Sequence, residues 1–149
     1  MYPTILAIHN IMRWVVLLLG VWALVSAFSG LALSRTWTES DRRPGSLFTI
    51  SLDIQLLLGL LLYFVLSPIT RLAMSDFGAA MGDDVQRFYA VEHLMMMILG
   101  IVFAHIGNVR VKRSSEGTTK FRTAAIWYTL AFVAILSRIP WDRAFIPSF

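Results

Sequence analysis

The chain's three histidines stand at positions 9, 93 and 105, and two of them sit beside charged groups that change what an imidazole can do. His9 is followed one helical turn later by Arg13, and His93 directly follows Glu92. His105 comes 12 residues after His93, about 18 Å along a helix. In apolar surroundings an imidazole ligates metal or haem iron, or carries protons. A guanidinium recognises a carboxylate. Asp53 and Gln55 break an otherwise apolar run, and Asn108 lies just past His105. There is no cysteine, which excludes a disulfide framework, a thiolate metal site and an iron–sulfur cluster. No hydrolytic triad signature, phosphate-binding glycine loop or zinc motif occurs.

These polar groups stand in a chain built for lipid. Hydrophobic residues make up 57% of its 149 positions and charged residues 15%, with a mean hydropathy of +0.68. Soluble domains have about 45–50% and about 25% respectively. Disordered and nucleic-acid-binding chains need many more charges. Four apolar runs, at about 5–34, 47–66, 86–107 and 122–138, meet the requirement for spanning helices. The fourth has only 15 uncharged residues, Thr123 to Ser137, so Arg122 and Arg138 are expected to reach outward from its ends. The first run is too long for the core of a cleaved signal peptide. The expected fold is all-α, a single integral-membrane four-helix bundle over residues 1–149, up-down-up-down.

Charge gives the expected orientation. Arg35, Arg42 and Arg43 lie in the first loop, and Arg110, Lys112, Arg113, Lys120 and Arg122 in the third. The second loop carries Asp76, Asp83 and Asp84 against Arg71 and Arg87. By the positive-inside rule, loops one and three face the cytoplasm and both termini face the other side. The net charge of +4 then reports orientation and contact with anionic lipid, with no nucleic acid implied. Boundary signals are Pro3 in the first turn, Pro44-Gly45-Ser46 as a break with Ser46 capping the second helix, and Asp83 with Gln86 opening the third. Ser67-Pro68 ends the second helix, and Ile69 to Met81 reads as a short interfacial helix.

At 1.5 Å of rise per residue, His9, Arg13, Glu92, His93 and Arg138 fall at one outer level. Asp53, Gln55, His105 and Asn108 fall at an inner one, where Asp53 and His105 can pair. Two histidines at one depth on two helices of a bundle suit a b-type haem, with His9 and His93 as iron ligands and Arg13 for a propionate. Three histidines allow at most one such haem. Plainer readings stand beside this one. His9 can reach a wet interface, and Glu92, His93, Arg13 and Arg138 can form a purely structural network. Asp53–His105 reads more naturally as a helix–helix clasp than as a proton path. Met95-Met96-Met97 reads as flexible core filler, and Gly20, Gly30, Gly59 and Gly100 as close helix contacts.

Four short motifs carry a resemblance. His9-Asn10-Ile11-Met12-Arg13-Trp14, Gln55-Leu56-Leu57-Leu58-Gly59-Leu60, Ala90-Val91-Glu92-His93-Leu94-Met95-Met96 and Ile139-Pro140-Trp141 together span most of the chain. The chain resembles small four-helix bacterial inner-membrane proteins labelled cytochrome-b-like, common in Bacteroidetes and relatives. The resemblance implies His9 and His93 as haem ligands, with Arg13 and Glu92 beside them. The resembling pattern has a histidine two residues before the Gln, where this chain has Asp53, and that departure argues against an inner haem at His105.

Two functions remain. One is a membrane-embedded, b-type-cytochrome-like electron-transfer subunit, with haem b between helices one and three and a quinone or another redox subunit as partner. The other is a non-catalytic accessory, or pigment-binding, transmembrane subunit of a larger respiratory or photosynthetic complex. Neither makes the chain a stand-alone enzyme, and both place it in a bacterial inner membrane among other subunits.

Overall fold

The computed structural model describes residues 1–141, and among these every regular element is helical, with no strand. In order they are α1 (Tyr2–Ala32), α2 (Glu39–Leu61), α3 (Pro68–Ser75), α4 (Phe77–Ala80), α5 (Asp84–Arg87), α6 (His93–Arg113) and α7 (Gly117–Ser137). Two π turns complete the path: Leu62–Leu66 continues α2, and Phe88–Glu92 joins α5 to α6. Among the described residues, three helical stretches are long and apolar enough to cross a membrane: Tyr2–Ala32, Glu39–Leu66 and Asp84–Arg113. Their outer faces match. Leu18, Val25, Leu57, Phe64 and Met95 point outward and are each more than half exposed, an apolar surface suited to lipid.

α2 packs against α1 and α6, and α7 packs against the same two helices from the other side. α1 and α6, which carry the histidines, therefore lie across from one another. Small residues set the distances. A Cβ on Gly30 would overlap the Phe121 ring, and one on Gly20 would come within 2.7 Å of Phe132. Gly100 likewise faces Ile135 of α7. With little hydrophobic gain to be had between helices in an apolar solvent, this close approach supplies the packing attraction.

The ends of α1 and α2 are written locally. Pro3 occupies the first turn of α1, where its missing N–H leaves no bond unmade. At the far end Ser34 takes a left-handed φ of 47°, and the Arg35 N–H donates to Gly30 O at 3.0 Å, closing the helix. α2 then starts earlier than the sequence suggests. The Asp41 carboxylate accepts from the Thr38 N–H at 2.9 Å and from its hydroxyl at 2.8 Å, and pairs with Arg35 at 3.0 Å. Those bonds nucleate the helix at Glu39. Pro44 and Ser46 thus lie inside α2, and Ser46 does not cap it. Proline here removes one helical bond, and Gly45 beside it gives the Tyr128 hydroxyl a place where any Cβ would collide. What reads as a break is a contact.

The two ends of the molecule are filled differently. Toward the basic loops, Phe48 and Phe121 are fully buried, Phe48 meets Tyr128 edge-on at 6.0 Å, and Trp37 meets Phe121 at 4.7 Å. Arg35 and Arg110 lie over the rings of Phe121 and Trp127, at 5.3 and 4.9 Å. The interior is closed there. At the other end it opens into a cavity.

Candidate functional site

α1, α2 and α6 each turn one stripe toward the cavity. Leu6, His9, Arg13 and Val16 on α1 recur every three or four residues, as do Leu52, Leu56 and Gly59 on α2, with Gln55 beside Leu56, and Leu94, Met97 and Ile101 on α6. Ile135, Ile139 and Pro140 close the wall from the end of α7. The cavity volume is about 140 Å³.

The two π turns frame this mouth and are tied to each other. In each, an extra residue widens the helix, marked by bonds from Ser67 N–H to Leu62 O at 2.8 Å and from His93 N–H to Phe88 O. The widening shifts the register of the following residues and frees carbonyls. The Tyr63 hydroxyl donates to the Ala90 carbonyl at 2.8 Å, joining the first π turn to the second. The Thr70 hydroxyl donates to Tyr63 O at 2.7 Å, and Arg71 reaches Val65 O. His93 emerges at the first position of α6, with the Phe88 ring stacked on it at 5.9 Å.

His9 and His93 face one another across the cavity, their ring centroids 6.5 Å apart and their planes inclined at 66°. His93 Nδ1 lies 2.7 Å from the Arg138 carbonyl. A carbonyl only accepts, so Nδ1 carries the proton and Nε2 keeps its lone pair. Gly59 stands opposite His9, where a Cβ would lie 3.4 Å from the ring's Cε1. Gln55 Nε2 donates to the His9 carbonyl at 3.1 Å, while Gln55 Oε1 and His9 Nδ1 are both buried without partners.

Arg13 is the buried cation of the site. Its Nη1 donates to Pro140 O at 3.2 Å, its guanidinium lies 5.5 Å from the Trp14 ring centre, and its Nε is buried without a partner. Glu92 does not neutralise it. That carboxylate is held between Arg87 at 3.0 Å and Arg138 at 3.2 Å, a brace joining the second π turn to the end of α7.

The expected outer cluster is therefore assembled, with the roles sorted: His9, His93 and Arg13 face the cavity, while Glu92 and Arg138 brace it. The inner pair also forms, with His105 Nε2 2.8 Å from Asp53 Oδ1, and Asn108 Nδ2 donates to Thr49 Oγ1 at 3.3 Å. Gln55 is a correction. Expected beside Asp53 and His105, it lines the cavity with His9, because two residues along a helix turn the side chain by roughly 200°. Sequence reasoning passed over Asn10, Tyr63, Tyr89 and the Pro140 carbonyl as lining groups. Tyr63 had a signal, since it continues the Gln55, Gly59 stripe at four-residue spacing.

Among the described residues, no group of three or more His, Cys, Asp or Glu side chains is placed to hold a bare metal ion. Two imidazoles suit instead a group that brings its own remaining ligands. With metal–nitrogen bonds of about 2 Å on each side, facing imidazole centres stand roughly 6 Å apart, close to the distance seen here. The buried, carboxylate-free Arg13 suits an acidic substituent. On its donor set the site fits a haem. Searches against protein-family models, curated proteins and solved structures find no match to this chain.

Proposed function

We propose that this chain is a membrane-embedded, b-type-cytochrome-like electron-transfer subunit. It sits in a bacterial inner membrane as an up-down-up-down bundle of α1, α2, α6 and α7. α7 is the fourth span, its short apolar run extended by Arg122 and Arg138. The basic residues around the first and third connections face the cytoplasm, and both termini and α3 to α5 face the other side.

The observation that carries the functional reading is the facing pair His9–His93 at 6.5 Å, with Arg13 buried beside it. His9 and His93 would hold the haem iron. When bound, haem supplies a one-electron redox centre. The residues around it each do one thing. The Arg138 carbonyl fixes the His93 tautomer so that Nε2 keeps its lone pair. Gly59 keeps the space beside His9 clear. Arg13 offers its guanidinium to a carboxylate. Val16, Leu52, Leu56, Met97 and Ile101 exclude water from the inner wall. The partners in this reading are lipid, a quinone and other subunits of a redox complex.

Titrating haem into apoprotein tests the assignment. The reading expects saturation at one haem per chain, with binding lost in His9→Ala and in His93→Ala. Equal uptake by both variants and the native chain would mean that neither imidazole is a ligand.

A further inference from the structure

The Asp53–His105 pair is not buried between its helices. The two side chains meet at 2.8 Å, yet His105 is 45% and Asp53 49% exposed, so the pair straddles the outer edge of the α2–α6 seam. Asp53 is the fifteenth of the 28 residues in the apolar stretch Glu39–Leu66, far from either end. A clasp that served only to join two helices would turn inward, as Asn108–Thr49 does one turn nearer the basic end. Outside, the pair leaves Asp53 Oδ2 and His105 Nδ1 without a hydrogen bond among the described residues. At membrane depth such groups are costly unless something polar covers them.

The surrounding face argues against a helix as that cover. Neighbouring exposed positions are Ile50 and Leu57 on α2 and Ile98, Val102 and Val109 on α6. All are bulky, and no Gly, Ala or Ser lies three or four residues from Asp53 or His105 on either helix to let another backbone approach. A flat ring carried in the lipid needs no such seam. We propose that the Asp53–His105 pair binds the head ring of a membrane-soluble quinone. As an ion pair, the His105 imidazolium donates Nε2–H to Asp53 Oδ1 and Nδ1–H to a ring carbonyl, and Asp53 Oδ2 accepts from a ring hydroxyl in the quinol form. The choice of a redox-active ring rests on the electron-transfer reading, whereas the binding itself requires no haem.

With only three histidines, the full chain in lipid nanodiscs can be labelled with ¹⁵N at histidine and titrated with decylubiquinone. The expected result is a saturable shift of the His105 signal while those of His9 and His93 stay put. Affinity should fall by about tenfold or more in Asp53→Asn, which replaces a charged acceptor by a neutral amide. It should fall comparably in Val102→Trp, which blocks the face without touching the pair. No saturable shift, or equal affinity in both variants, overturns the site. So does a shift borne by His9 and His93, which places the ring in the outer cavity. A His105 signal that follows the protein-to-lipid ratio instead of the quinone also overturns it, because a second copy is then the cover. A His105 response in protein that takes up no haem defeats the electron-transfer reading alone, and haem uptake without that response defeats the quinone site alone.

Discussion

His9 on α1 and His93 on α6 meet ring to ring at 6.5 Å although their helices lie across the molecule from one another. α2 and α7 hold those helices apart, and the two imidazoles reach toward each other across the cavity they leave. The geometry of the pair therefore depends on how α7 seats against α6 and how the second π turn presents His93.

The seating of α7 depends on Gly100. A Cβ there would lie 2.7 Å from Ile135 Cγ1 and 3.1 Å from the Ala131 carbonyl oxygen, which is backbone and cannot rotate away. Gly100→Ala is expected to lose about 1–3 kcal/mol through overpacking. Gly59→Ala, whose Cβ would only touch His9 at 3.4 Å, should stay within about 0.5 kcal/mol. Thermal melts of both variants in one detergent check the contrast.

Arg13 should behave as a ligand-binding group rather than a structural one. It is 8% exposed and has no carboxylate partner among the described residues. Replacing a buried cation that lacks a carboxylate partner with an apolar chain is neutral or stabilising. Arg13→Met is therefore expected to melt no lower than the native apoprotein while retaining haem less well. A lower apoprotein melting temperature with unchanged retention would reverse the assignment.

Glu92 should behave in the opposite sense. Its carboxylate bridges Arg87 and Arg138, side chains that remain 37% and 46% exposed, so each arm is screened. Glu92→Gln is expected to cost about 1 kcal/mol and to leave Arg13 untouched. A double-mutant cycle with Arg138→Gln measures the arm that reaches α7.

Asp83 carries an acid dependence of the connection between α4 and α5. The Gln86 N–H donates to its carboxylate at 2.8 Å and holds the acid below the ordinary carboxylate range. A depressed folded value means the stabilisation is complete above the unfolded value of about 3.9 and is lost as pH falls through the folded one. Protection of the Gln86 amide, taken against the intrinsic exchange rate at each pH, should therefore fall on acidification past that range. In Asp83→Asn, which keeps the acceptor but not the charge, the acid response should vanish.

Much of this was legible in the sequence because ionisable residues in an apolar chain stand out. The level shared by His9 and His93 followed from helical rise counted from the charged helix ends, and the meeting of Asp53 with His105 from rise together with the assumption that sequential helices are neighbours. Rotation about the helix axis was harder to read than depth. Gln55 was assigned by level to Asp53, and the two-residue turn sent it to the other face. The start of α2 was misjudged because Pro44-Gly45 outweighed the Thr38–Asp41 bonds. The π turns carry no composition of their own. They follow from tertiary bonds such as Tyr63 to Ala90, which no local pattern records.

The central claim is that His9 and His93 hold one haem between them. A reduced-minus-oxidised absorption spectrum of the protein purified from haem-replete cells tests it most directly. A b-type α-band is expected, absent from His9→Ala and from His93→Ala while both variants keep their helical content. No band in the native protein, or an undiminished band in both variants, would contradict it.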